Sequence, residues 1–258
     1  MDFMEFKNRV YKTFGLDLHS YKENQLQRRL NNLLVRKKLS GFGEYFNIIS
    51  QNRQEYTNFL DYLTINVSEF FRDVKMFKIL EDKVLPELLL RNSKLKIWSA
   101  ACSIGAEPYS VAIILDELTP GRVHQIEATD LDQNILQRAK EGKYNADAVK
   151  NVTADRLSKY FVKQGDKYLI SPQIKNKVQF RQHDLLKDNY PRGYDLILCR
   201  NVTIYFTRQA QEKVNRRFVQ SLKPGGCLFI GGSETIFNYA ELGLDKISPC
   251  FYRKVTRV

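Results

Sequence analysis

From Asp2 to about Arg91 apolar residues recur at three- and four-residue spacing, with few glycines and Pro86 as the only proline, which predicts helices and no strand. The clearest run is Tyr21 to Leu39, where Leu26, Leu30, Leu33 and Leu34 form one apolar face; Gly41 then supplies a stop signal. Further helices are predicted over Glu5–Phe14, Gly43–Ser50, Gln54–Leu63 and Lys75–Leu90. At Leu95 the pattern changes to short apolar runs alternating with helical stretches, the signature of a βαβ sheet. Strands are expected at Leu95–Ala100, Gln125–Thr129, Val178–Gln182, Leu196–Cys199, Cys227–Ile230 and Ser248–Val255, the last two as a late hairpin. Helices are expected at Ala106–Leu118, Gln133–Lys140 and Arg208–Leu222. Gly165-Asp166, between two alternating runs, predicts a small antiparallel insertion.

Composition narrows the classes. The chain has 258 residues, 43% of them apolar, enough to bury a core without disulfides or metal. The start MDFMEFKNRVYK lacks a signal-peptide charge pattern, and no apolar run reaches the roughly 20 residues that span a bilayer; a cytoplasmic protein is expected. Cys102, Cys199, Cys227 and Cys250 form no CxxC pair, so reduced thiols near a core are expected and no metal. A net charge of +12 favours an acidic partner, whether protein, nucleic acid or anionic lipid.

Candidate chemistry begins at IWSAACSIGAEPYS, a strand running through a small-residue loop into a helix. Such a corner lets backbone N–H groups approach a ligand. Only Gly105 stands where a dinucleotide fingerprint would have several glycines. The next strand ends in ATDLD, placing Asp130 where a ribose hydroxyl pair would be held, with Asp132 as an open alternative. Loop and acid fit a dinucleotide enzyme or an S-adenosylmethionine enzyme. The late hairpin and the polar Arg200, Asn201 and Tyr205 of CRNVTIYF, at the carboxyl edge of the sheet, favour the second.

Five ordered motifs, TINVSEFFRD, IWSAACSIGAEPYSVAI, ATDLDQNILQRAKEGKY, YDLILCRNVTIYF and LKPGGCLFIGGSE, together resemble the CheR-type chemoreceptor glutamate methyltransferases over almost the whole chain. The resemblance implies an α/β fold: a class I S-adenosylmethionine-dependent methyltransferase, Rossmann-like with a seven-stranded sheet, carrying a small all-α N-terminal domain and an inserted antiparallel β-subdomain. The implied division is a receptor-docking domain over 1–72, a linker helix over 73–94 and a cofactor-binding domain over 95–258, with the β-subdomain near 160–177. Implied cofactor contacts are Asn66, Ser68, Arg72, Glu107, Asp130, Asp184, Leu185, Arg200 and Asn201; Tyr205 is implied to lie by the transferable methyl, and the planar fork of Arg72 suits it to orient the incoming carboxylate as well as the cofactor. The family pattern is departed from at Ser68 (Thr is commoner), at Ala106 (an acid is usual, which leaves Glu107) and at Asp184 (Asn is usual).

The implied reaction makes glutamate methyl esters and S-adenosylhomocysteine in the adaptation step of bacterial chemotaxis. A free glutamate titrates near pH ~4.3, so the nucleophile is ionised at neutral pH and needs no general base. The helix from Tyr21 to Leu39 carries a polar stripe, Lys22, Gln25, Arg29, Asn32 and Arg36, with Arg28, Lys37 and Lys38 adding charge. On spacing alone it is a solvated face or a docking surface. The resemblance favours docking on the cytoplasmic helical bundle of a chemoreceptor, with no nucleic acid and no membrane insertion; a monomer is expected, since no heptad or extra apolar face calls for a partner. The rival, a nucleic-acid methyltransferase, lacks both a [DN]PP[YF] strand end and a Pro-Cys pair. A fold kept only as a binding module is disfavoured by the competent residue at every contact position.

Overall fold

The computed structural model describes residues 1–64 and 68–256. Four helices come first: α1 (Phe3–Phe14), α2 (Glu23–Lys37), α3 (Phe42–Gln51) and α4 (Arg53–Thr64). Local chemistry sets their ends. Asp2 caps α1 by accepting the Glu5 N–H at 2.7 Å, and Gly15 closes it in the left-handed conformation. The end of α2 differs from expectation: Lys38, at φ 57°, stops the helix before Gly41, which precedes α3. Phe6, Val10, Leu30, Tyr45 and Phe59 make the bundle's core, with Phe14 stacked on Tyr56 at 4.1 Å.

A continuous helical stretch follows, α5 (Val74–Ile79), one π turn over Leu80–Val84 and α6 (Leu85–Arg91). Pro86 explains the π turn. It has no N–H for the Asp82 carbonyl, and the Leu85 N–H reaches back to Leu80 O instead.

The α/β part runs β1 (Lys96–Ala100), α7 (Ala106–Leu118), β2 (Gln125–Asp130), α8 (Gln133–Glu141), β3 (Lys143–Tyr144), α9 (Ala146–Val149), α10 (Ala154–Tyr160), β4 (Phe161–Gln164), β5 (Lys167–Ile170), α11 (Pro172–Lys175), β6 (Val178–Gln182), β7 (Tyr194–Cys199), α12 (Arg208–Ser221), β8 (Leu222–Ile230), β9 (Leu244–Ser248) and β10 (Phe251–Lys254). Seven strands form one sheet in the order β6-β2-β1-β7-β8-β10-β9. The first five are parallel; β10 runs antiparallel to β8 and to β9. The expected strand Ser248–Val255 is therefore the end of β9, a turn and β10; its expected pairing with Cys227–Ile230 is present, β10 lying antiparallel to β8, and β9 adds an outer strand that makes the tight hairpin with β10. Cys250, at φ 66°, makes that turn without a glycine. The expected insertion is present as β4–β5, joined by β3 in a second, three-stranded sheet.

Alternation along the strands fills both faces of the large sheet. Ile97, Leu196 and Leu198 pack with α5–α7 on one face; Trp98, Ile197 and Cys199 pack with Val214 and Phe218 of α12 on the other. The four cysteines are free, three of them buried. Bundle and sheet are joined by a seam: Thr207 N–H donates to Ser20 O at 2.8 Å and Lys22 N–H to Tyr205 O at 2.9 Å, while Tyr21 meets the edge of Phe206 at 5.2 Å. Among the described residues no helix is long and apolar enough to cross a membrane.

Candidate functional site

Strand order reverses between β1 and β7, the place where an α/β sheet opens a crevice beyond its carboxyl ends. A cavity of about 170 Å³ lies there, with the seam and the end of α4 as its outer wall. The loop from β1 to α7 is tight: Ala101, Ser103 and Gly105 all have left-handed φ, at 61°, 51° and 82°. Gly105 is required twice over, because a Cβ would lie 3.0 Å from that of Ala139. Cys102 N–H donates to Thr129 O at 2.8 Å, which ties this loop to β2. Burial pushes the Cys102 thiol up and keeps it protonated.

Asp130, at the tip of β2, accepts the N–H of Ser103 at 2.8 Å and of Asp132 at 3.1 Å. Burial nevertheless pushes its carboxyl up to about 6. Asp132 is used differently. It caps α8, accepting from the N–H of Asn134 and Ile135, and it faces a separate cleft with Arg53 and Arg181. Of the two acids, Asp130 lines the central cavity.

Glu107 opens α7 and accepts from Ser99 Oγ at 2.7 Å and Arg200 Nη1 at 3.3 Å. Burial raises its pKa, with Arg200 opposing. Ala106 is wholly buried, so Glu107 is the acid of this turn. Arg200 leaves β7 between Phe77 and Phe229, with its guanidinium 5.2 and 4.5 Å from their ring centres. It also donates to Arg72 O at 2.8 Å and to the Asp73 carboxylate, binding the segment before α5 to the sheet. Phe71 and Asp73 of that segment have φ of 51° and 63°. Non-glycine left-handed residues thus gather around this cavity, as strained backbone does at functional sites.

Asp184 and Leu185 form another wall. Arg217 holds the turn by donating to Leu185 O at 3.0 Å and to Asp188 O; Leu186 N–H donates to Asp184 Oδ1 at 2.8 Å, and burial raises the Asp184 carboxyl. Ser68, Arg72, Glu107, Asp130, Asp184, Leu185, Arg200, Asn201 and Tyr205 therefore share one cavity. Asn66 lies outside the described residues.

Three participants escape the sequence reading. Tyr21, from the bundle, lines the cavity, and burial pushes its phenol far up. His183 does so too, its pKa lowered by burial to about 4, while its backbone N–H donates to Asp130 O at 2.9 Å. Glu234, which ends the GGSE motif, anchors the loop after β7 through buried hydrogen bonds. Only the last had a signal in the sequence, an acid closing a glycine-rich strand end.

The six basic residues of the predicted docking stripe divide into two groups. Lys22, Arg28, Arg36 and Lys38 are exposed. Arg29 is turned inward: it donates to Leu63 O at 3.2 Å and to Tyr62 O and lies 6.0 Å from the Tyr205 ring centre. Lys37 pairs with Glu55 at 2.6 Å. Tyr21, Lys22, Gln25, Arg28, Arg29 and Tyr205 line a groove that meets the cavity at Tyr21 and Tyr205.

The donor set suits a ligand carrying a flat base, a sugar and a zwitterionic tail. Carboxylates of Glu107, Asp130 and Asp184 and the guanidiniums of Arg72 and Arg200 line the cavity together, with Leu63, Leu131, Leu185 and Val202 supplying apolar wall. Among the described residues no cluster of His, Cys, Asp or Glu is arranged to hold a metal. Fold and cavity together define a class I S-adenosylmethionine-dependent methyltransferase. Comparison with known proteins agrees. Residues 66–247 match the family model described as CheR methyltransferase, SAM binding domain, and residues 1–64 match CheR methyltransferase, all-alpha domain. The chain is 42% identical to a chemotaxis protein methyltransferase of Listeria innocua over 254 residues, covering 98% of this chain and 97% of that one. It is 36% identical to chemotaxis protein methyltransferase 1 of Pseudomonas aeruginosa (93% and 92% covered) and 34% identical to the chemotaxis protein methyltransferase of Escherichia coli (93% and 85% covered). This chain belongs to the CheR methyltransferase family, whose members methylate in bacterial chemotaxis using S-adenosylmethionine.

Proposed function

We propose that the protein transfers the methyl group of S-adenosylmethionine to glutamate side chains of chemoreceptor helical bundles, giving methyl esters and S-adenosylhomocysteine. The observation that carries this reading is the meeting of the cofactor cavity with a basic groove at Tyr21 and Tyr205. An acidic helix laid along Lys22, Arg28 and Arg36 would bring a carboxylate to that junction, with charge setting approach and register.

Bound S-adenosylmethionine supplies a methyl group already activated by its sulfonium. The chain has only to hold, orient and exclude water. Asp130 is the acceptor for the ribose hydroxyls, and Asp184 with Leu185 borders the base. Glu107, with Ser68, Asn201 and Arg200, serves the amino-acid tail. The acceptor carboxylate is ionised at neutral pH, so no proton has to be removed. Arg72 is the residue to orient it, since a planar guanidinium matches a carboxylate fork, and Tyr205 lies beside the transferable methyl where the groove meets the cavity. Held together, reactants in this geometry gain roughly 7–11 kcal/mol over free encounter.

Radiolabelled methyl transfer to chemoreceptor-containing membranes tests the reading. Mild base should release the label as volatile methanol from a receptor-sized band. Base-stable label would overturn the glutamyl ester and return nucleic acid as acceptor. In the same assay Arg72→Ala should lose about 10- to 100-fold in rate, the loss of one charge-assisted contact, while Arg208→Ala, at a side chain 83% exposed, should lose nothing. Equal losses would remove Arg72 from the reaction.

A further inference from the structure

Five hydrogen-bond donors converge on the buried carboxylate of Glu234. Its Oε2 accepts the N–H of Gly231 at 2.6 Å and of Asn201 at 2.9 Å. Its Oε1 accepts the N–H of Val202 at 3.0 Å and both the N–H and the hydroxyl of Thr203 at 2.8 Å. Three consecutive backbone N–H groups thus point at one anion, as in the nests that bind phosphate, but here the anion belongs to the chain. The approach is close enough to demand glycine: a Cβ on Gly231 would lie 2.8 Å from Asn201 N and 2.8 Å from Glu234 Oε2.

The loop so gripped is the one that faces the cavity. Asn201 is held at φ 60°, a short 3₁₀ turn over Thr203–Tyr205 follows, and Asn201, Ile204 and Tyr205 line the cavity. Glu234 is not among the cavity-lining residues; it borders a groove on the other side of the loop. We infer that Glu234 is a positioning residue for methyl transfer: its carboxylate sets the backbone that presents Asn201 to the cofactor and Tyr205 to the junction with the groove. This rests on the cavity being the cofactor site.

Glutamine at 234 keeps the shape but replaces one acceptor oxygen by an NH₂ aimed at N–H donors, so the loop cannot keep its geometry. Asp195 is a matched control. It is buried too, at the other end of β7, and accepts from Lys96 N–H at 2.7 Å, Asn92 Nδ2 at 2.9 Å and Lys223 Nζ at 2.8 Å. The experiment measures S-adenosylhomocysteine affinity by calorimetry, KM and kcat for methyl transfer, and Tm. Glu234→Gln should weaken product affinity about tenfold and lower kcat, whereas Asp195→Asn should lower Tm alone. Thr203→Val, which removes one of the five bonds, should weaken affinity about threefold and decides the matter should Glu234→Gln not fold. Affinity and kcat within twofold of wild type in a folded Glu234→Gln, or in Thr203→Val when Glu234→Gln does not fold, would overturn the inference. Asp130→Asn separates the two ideas. If it weakens affinity while Glu234→Gln does not, only the positioning role fails; if it too has no effect, the cavity assignment fails.

Discussion

Asp130 is a carboxylate on which two opposing effects act. Two backbone N–H groups favour its ion, yet burial wins and lifts it to about 6. An acid raised in the folded state contributes stability that is complete below its unfolded value near 3.8 and is lost as pH rises through about 6. Ribose hydroxyls donating to it would favour the ion again. Product affinity should therefore fall as pH goes from 7 to 5, and binding near pH 6 should release protons. Calorimetry in buffers of different ionisation heat reads this directly, and a response surviving in Asp130→Asn would assign it elsewhere. His183 has the opposite sign. Burial lowers it to about 4, so its contribution is complete above its unfolded value near 6.5 and is lost as pH falls through 4. His183→Phe, which keeps a ring against Trp98 and Tyr190, should remove that acid-side slope from denaturant midpoints. An unchanged slope would clear His183 of it. Asp130 was legible because a strand-end acid has one usual task. Glu234 was not, because its task depends on five donors, four of them some thirty residues away.

The helix α2 divides what sequence alone merged. A helical wheel puts Arg29 on the same stripe as Gln25, Asn32 and Arg36; packing against the end of α4 then turns it inward onto the Tyr62 and Leu63 carbonyls. Two variants should separate these roles. Reversing Arg28 and Arg36 to Glu should depress receptor methylation and leave S-adenosylhomocysteine affinity intact. Arg29→Ala should lower stability by about 1–3 kcal/mol, since carbonyls it satisfies lose their donor, and should weaken that affinity as well, because Leu63 and Thr64 edge the cavity. The reverse pattern would exchange the two assignments. Long apolar runs were legible even without a period, as in α7, buried nearly all round, and β7, buried at every residue; sequence pattern failed at the sheet's end. It missed β9 and merged turn with strand at Ser248–Val255, where alternating residues run through Pro249 and Cys250 with no glycine to mark the bend. The short helices α9, α10 and α11 fill too few turns to show a period.

For the whole molecule, a charge of +12 acts at a distance that salt controls, about 8 Å at physiological ionic strength. If charge mainly speeds encounter with an acidic bundle, kcat/KM for receptor should fall steeply between low and moderate salt while kcat stays level. A kcat falling in parallel would place the electrostatic effect in the chemical step. The pairing of Tyr21 with Phe206 carries a further consequence, for how the protein comes into being. Residues 20–22 leave the ribosome long before 205–207, so the early helices must wait, with an aromatic edge uncovered, until most of the chain has emerged. The last side of the cavity closes only with that late pairing. Nascent chains that stop short of it would hold every helix of the bundle and still lack a site, and methylating capacity during synthesis would arrive abruptly near the end rather than growing with length.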